Sequence, residues 1–338
     1  MYTLKYHPAA NHDKDKLKPM SFYIAGTGSA LPRKKVSNDD LSKMMDTSDE
    51  WIRTRTGIRN RRVITDETLT SLSADAAQIA LRDAQLSAQD IDLVICATMR
   101  GDTVTPSQAC LTAAALGIQA PCFDVNAACS AMLYCFEIAD SFMRADKAKN
   151  VLVLACEAMS KQIDWSDRAT CVLFGDGAAA VVLRKGEGLL SQTMVCAPNP
   201  TTIYTPAPDG DSPFSTAEKQ KSALHMDGTE TYKFAVNVMI GQMEAALAAA
   251  ELDVADIAYV LPHQANIRII EAARKRFNIP EEKVLTNISE YGNMSATSIP
   301  VLLDENAKAG KFRKGDKLLL VAFGAGMTAA ATVLTWNK

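Results

Sequence analysis

Three residues far apart in the chain, Cys129, His263 and Asn293, could together carry out nucleophilic chemistry at a carbonyl. A free thiol, with an ordinary pKa of about 8.5, is only a few per cent thiolate at neutral pH unless its surroundings favour the anion. Cys129 closes the strand-like run CFDVNAAC, and the helical pattern SAMLYCFEIADSFMRA follows it. It therefore falls at a helix start, where unpaired N–H groups and the helix dipole are expected to favour the thiolate. His263 ends the apolar run YVLPH and is one of four histidines. Asn293 follows a glycine in YGNMSATSIP. Singly, each has a plainer explanation: a buried thiol, a structural histidine, a turn asparagine. A nucleophile with two hydrogen-bond donors is a catalytic arrangement only if the fold brings the three together.

The elements that would do so emerge from comparing the chain with itself. ALRDAQLSAQDIDLVICAT (80–98) and ALAAAELDVADIAYVLPHQ (246–264) share seven identities at an offset of 166 residues. Each reads as a helix, a short polar joint and an apolar strand. VLVLA (151–155) and LLLVA (318–322) agree at nearly the same offset. The pattern predicts a duplicated α/β unit of about 150 residues, with its join in the Gly- and Pro-containing text near 185–200. Adding 166 to Cys129 gives Ser295, two residues after Asn293. The strand ending VICAT in the first half ends VLPHQ in the second, which puts His263 at a carboxyl strand end, where ligands of open α/β sheets collect. The organisation expected is a polar extension (1–19), an N-terminal half (20–188) carrying the cysteine, and a C-terminal half (189–338) carrying His263 and Asn293.

Composition excludes several classes. The chain has 338 residues, is 48% hydrophobic and 22% charged, and carries a net charge of −3. It is neither disordered nor basic enough to suggest a nucleic-acid surface. No apolar run approaches the roughly 18 residues of a membrane span, and the first residues lack the apolar core of a signal peptide. Eight cysteines without a CxxC pair read as reduced, mostly buried thiols in a cytoplasmic protein, at least six of them small core residues, with no zinc ribbon or disulfide scaffold.

The motifs GTGSALP (26–32), DTSDEWIRTRTGI (46–58), DVNAAC (124–129), DRATCVLFGDGAA (167–179), PHQANIRII (262–270), GNMSATSIP (292–300) and FGAGMT (323–328) occur in that order. In them the chain resembles the β-ketoacyl-[acyl carrier protein] synthase III family of thiolase-fold condensing enzymes, over everything after the extension. The resemblance implies an α/β, duplicated thiolase-like fold whose two similar βα halves form a layered αβαβα architecture. It implies that Cys129 takes an acyl group from acyl-CoA and passes it, by decarboxylative condensation, to malonyl-acyl carrier protein. His263 and Asn293 would hold the enolate oxygen, and the N–H groups of Cys129 and Ala325 the oxyanion. Trp51, Arg55 and Arg168 would flank the CoA adenine, and Asn266 the pantetheine arm. Lys233, Arg268, Lys275 and Arg276 would dock the acidic carrier protein, the last three on a helix expected over 265–277. No metal or organic cofactor is expected, and the assembly implied is a homodimer.

The chain departs from the family pattern around the acyl pocket, where Thr105, Met132, Phe323 and Met327 are expected to set its size. The choice of primer is what these departures affect. Alternatives that the sequence leaves open are a specialised condensing enzyme using a longer or unusual primer, a silent acyl-binding scaffold and a cysteine hydrolase. A degradative thiolase is disfavoured, since no second cysteine follows Cys196.

Overall fold

The computed structural model describes residues 21–208, 210, 212–216, 218 and 220–338. The polar extension expected over 1–19 lies outside the described residues. Two sheets carry the fold. The first runs, edge to edge, Ser21–Ala30, Asp176–Gly186, Asn150–Ala158, Leu93–Ala97, Cys122–Val125. The second runs Leu189–Asn199, Gly326–Thr335, Lys317–Gly324, Tyr259–Pro262. In each, two antiparallel pairings are followed by a parallel one. The fifth strand of the first sheet, also parallel, survives in the second only as a bridge between Val260 and Val284. The chain crosses from one sheet to the other at Glu187 and Gly188, between two long strands.

The central strands are apolar on both faces because helices cover both faces. Leu69–Asp83 packs on the outer face of the first sheet. It lies flush against the strand Ser21–Ala30, since a Cβ on Gly26 or Gly28 would come within 2.2 Å of the carbonyl oxygens of Ala80 and Ala76. Gly228–Ala249 covers the outer face of the second sheet. Between the sheets lie Ala131–Arg144 and Ser298–Lys308. Met132, Leu133 and Phe136 on the first helix, with Ile299, Leu302 and Leu303 on the second, fill one core with Ile95, Val153, Leu318 and Leu320 of the two sheets. The five layers are those of the thiolase fold.

The repeat extends to local backbone. Gln85 and Glu251 end the matched outer helices with the same positive φ of 55°. The 3-10 turns Ala128–Ser130 and Ser295–Thr297 both begin at positive φ, 47° and 50°. The offset here is 167, so the counterpart of Ser295 is Ala128, and Cys129 matches Ala296, one residue beyond the sequence-based register. Asn293 thereby matches Asn126. Both accept a bond at Oδ1 from the backbone N–H two residues on, from Ser295 at 2.8 Å and from Ala128 at 3.2 Å.

The cysteines correct one expectation. All eight are free, but only Cys96, Cys135, Cys156 and Cys171 are buried, three are partly buried and Cys196 is exposed. No helix among the described residues is long and apolar enough to cross a membrane.

Candidate active site

Cys129, His263 and Asn293 line one cavity of about 800 Å³ between the two halves. Cys129 comes from the 3-10 turn ahead of Ala131–Arg144, His263 from the residue after the strand Tyr259–Pro262, and Asn293 from the loop after the short helix Ile288–Tyr291. His263 N–H continues the parallel ladder by donating to Val321 O at 2.8 Å. The Asn293 loop is pinned to the first half by Asn293 N–H to Leu173 O at 2.8 Å and Gly175 N–H to Asn293 O at 3.0 Å.

His263 is buried, both ring nitrogens lack a protein partner, and its ring meets Phe323 edge to face at 5.4 Å. Burial pushes its pKa down to about 3, so the imidazole is neutral and one nitrogen keeps a proton to donate. Because Asn293 Oδ1 is occupied by Ser295 N–H, its amide nitrogen is the group left for a ligand in the cavity.

Cys129 differs from the expectation. Desolvation is the main cause that pushes the thiol up to about 12, and the Glu157 charge adds to it, while the neighbouring Ser295 side chain acts the other way. The turn's dipole is outweighed by removal of water from the thiol. Behind it, Ser295 Oγ donates to Glu157 Oε1 at 3.1 Å. Glu157 is fully buried and also accepts from Met99 N–H at 3.2 Å. Desolvation is the largest cause pushing it up to about 8. Sequence reasoning assigned no role to Ser295 or Glu157. The available signal was a lone carboxylate in the apolar run VLVLACEAM.

Gly324 packs directly against the Cys129 turn: a Cβ there would be 2.7 Å from Cys129 N and 3.2 Å from Ala127 O. Ala325, the next residue, also lies in the cavity wall. The Thr328 hydroxyl lies 3.1 Å from Ala127 O, 3.2 Å from Ala325 O and 2.8 Å from Ser130 Oγ, which fastens the two segments together.

Toward the mouth, the Trp51 ring is flanked by Arg55 at 4.7 Å and Arg168 at 4.9 Å. Trp51, Arg55, Lys233, Asn266 and Arg268 line the cavity, and Arg168 reaches it only through Trp51. Asn266 caps the helix Ile267–Arg276, shorter than expected, by accepting from Arg268 N–H at 2.9 Å. Arg268 is exposed and donates to Thr54 O at 3.0 Å. Lys275 and Arg276 lie at the far end of that helix, away from the mouth, and Arg276 pairs with Glu244 at 3.4 Å. Of the expected pocket residues, only Phe323 lines the cavity. Met132, in the core between the sheets, and Met327 are both buried, at 1% and 5% exposure. Thr105 is in an exposed loop outside the cavity. The apolar wall is instead supplied by Met99, Met159, Phe174, Ile203, Leu224 and Met226. No cluster of metal-ligating side chains occurs among the described residues.

Family models for 3-oxoacyl-[acyl-carrier-protein] synthase III match residues 123–197, and for its C-terminal part residues 247–336. The β-ketoacyl-[acyl-carrier-protein] synthase III of Clostridium acetobutylicum is 42% identical over 326 residues, covering 94% of this chain and 99% of the relative. The crystal structure of the Aquifex aeolicus 3-oxoacyl-[acyl-carrier-protein] synthase III superposes with a TM-score of 0.88 at 42% identity, covering 94% of this chain and all of the other. A priming β-ketosynthase from a polyketide biosynthetic pathway superposes with a TM-score of 0.87 at 33% identity, over 94% and 97% of the two chains.

Proposed function

The chain belongs to the β-ketoacyl-[acyl-carrier-protein] synthase III family, and from that premise we infer how its cavity performs the initiating condensation of fatty acid synthesis. The substrates are an acyl-CoA and malonyl-acyl carrier protein. The observation that carries the reading is the convergence of Cys129, His263 and Asn293 on one cavity whose mouth bears Trp51 between two guanidinium groups.

Acyl-CoA enters with its adenine against Trp51, Arg55 and Arg168, where an aromatic face and planar cations suit a base. Its pantetheine arm passes Asn266. Sγ of Cys129 attacks the thioester carbon, CoA leaves, and the acyl group remains as a thioester. The N–H groups of Cys129 and Ala325 hold the tetrahedral oxyanion. Malonyl-carrier protein then docks at the exposed rim by Lys233 and Arg268. Its thioester oxygen accepts from neutral His263 and from the Asn293 amide. Carbon dioxide leaves, its bonding pair becomes the enolate, and the charge develops between two fixed donors in a desolvated site. The carbanion bonds the acyl carbon, and Cys129 departs. No step calls for a metal or organic cofactor. The active assembly is a cytoplasmic homodimer.

Intact-mass measurement tests the reading. Incubation with acetyl-CoA should add one acetyl group, peptide mapping should place it on Cys129, and malonyl-carrier protein should discharge it as a 3-oxoacyl product. A label on another cysteine, or discharge as free acid alone, contradicts it.

A further inference from the structure

Cys129 has to lose a proton, and the residue beside it in the cavity is a poor acceptor. His263 holds neutral imidazole down to about pH 3. On the other side of the sulfur lies a second polar group: the Ser295 side chain acts on the Cys129 thiol, and Ser295 Oγ donates to Glu157 Oε1 at 3.1 Å. Glu157 is fully buried in the strand Asn150–Ala158, and no ion pair reaches it among the described residues. A buried carboxylate without a cation costs stability that packing does not return. Its bonds are to Met99 N–H and to Ser295 Oγ.

We propose that Glu157 and Ser295 form a proton relay behind Cys129. The inference rests on the reading of Cys129 as the acyl carrier. In the first half-reaction, Sγ bonds the acyl carbon as its proton moves to Ser295 Oγ and the Ser295 proton moves to Glu157 Oε1. CoA leaves as a thiolate with the C–S bonding pair and is protonated by bulk water. Glu157 stays neutral while the acyl-enzyme waits. In the second, the carbanion bonds the acyl carbon and the C–S pair returns to Sγ. Glu157 then gives its proton to Ser295 as Ser295 gives its own to the sulfur. The relay ends as it began.

The charge environment suits such a shuttle. Asp176, on the adjacent strand, is the charged group facing Glu157, and it raises the Glu157 pKa. Asp176 is itself held by Ser160 and by Ile64 N–H, with Lys161 nearby. Cys129 is the remaining titratable group in the chain of contacts. With Glu157 near 8 and Cys129 near 12, the proton rests on sulfur in the free enzyme, and the carboxylate becomes the main form of Glu157 only above about pH 8.

Single-turnover CoA release from acetyl-CoA, without carrier protein, measures the first transfer between pH 5.5 and 9.5. The wild-type rate should rise through about pH 8, as the Glu157 carboxylate forms. Glu157→Gln and Ser295→Ala should each be slower by about 10²–10³ at pH 7 and lose that inflection. The double variant should be no slower than the worse single, since the two act as one unit. Ser295→Ala leaves the carboxylate in place and carries the test if Glu157→Gln does not fold. Iodoacetamide alkylation of Cys129, followed by mass, should show the same lost inflection without any acyl substrate. Alkylation therefore tests the relay even if wild type fails to acylate, a result that would remove the acyl-carrier reading itself. Acylation or alkylation within threefold of wild type, additive losses, or an unchanged inflection with a lowered melting temperature would overturn the relay.

Discussion

Replacing His263 with Asn should flatten the acid limb of the protein's stability. Unfolded, a histidine ionises near pH 6.5, whereas folded His263 stays neutral to about pH 3. The folded pKa is depressed, so the neutral form is the one the fold favours. The stability associated with it is complete above pH 6.5 and is lost as pH falls from there toward 3. At pH 5 the loss has covered one and a half pH units, about 2 kcal/mol. Glu157 works in the opposite sense, because its raised pKa makes folding gain stability as pH falls from about 8 toward its unfolded value. The wild-type curve alone therefore mixes the two, and the difference between wild type and His263→Asn isolates the histidine. Urea unfolding at pH 8 and pH 5, at one protein concentration, is the assay. For an unfolding slope near 3 kcal/mol/M, the wild-type midpoint should fall between the two pH values by about 0.7 M more than the variant midpoint does. Parallel shifts would refute the argument. So would a condensation rate that falls with an apparent pKa near 6.5 in wild type but not in the variant, for then His263 would act through its cation.

Three further outcomes follow from the same geometry. Asn293→Asp keeps the oxygen that Ser295 N–H needs but replaces the free amide donor, so condensation should fall by about 10²–10³ while Cys129 still acylates; separate assays of acyl-enzyme mass and 3-oxoacyl product check this. Gly324→Ala would drive a methyl group to 2.7 Å from Cys129 N, so acylation and condensation should both drop by at least tenfold, with about 1–3 kcal/mol lost from stability. Trp51→Ala removes a ring between two guanidiniums and should raise KM for acetyl-CoA about tenfold, with little effect on acetyl-pantetheine, which lacks the nucleotide.

The layers and the three converging residues were legible because they rest on long-range regularities. A helix–joint–strand text repeated at 166 fixes two similar sheets, and matched strand ends then place His263 opposite the Cys129 turn. The acyl pocket was not legible in the same way. Met132 and Met327 are near Cys129 and the Ala325 loop in sequence, but helix geometry turns Met132 into the core between the sheets and Met327 is buried away from the cavity. Distance along the chain says nothing about which face a side chain takes. The wall residues Met159, Phe174, Ile203 and Leu224 come from connections, whose course periodicity does not encode. The thiol's direction of shift was missed for a related reason, since a helix start is visible in sequence and the dryness of the sulfur's surroundings is not.

The one-residue difference between the sequence register and the structural one is itself informative. With Asn126 and Asn293 as counterparts, each half contains the same device: an asparagine bracing a tight turn whose second residue on has positive φ. In the first half the turn delivers Cys129 to the cavity, and its asparagine is exposed. In the second, Ala296 occupies the cysteine's place, the turn delivers the Ser295 hydroxyl toward Glu157, and the asparagine itself faces the cavity. Two copies of one turn, meeting between the sheets, have thus divided the work. In the proposed mechanism one supplies the nucleophile, and the other supplies a donor on the cavity side of the sulfur and a hydroxyl behind it. The asymmetry requires no change of fold, only the exchange of cysteine for alanine at one position and of alanine for serine at the residue before it.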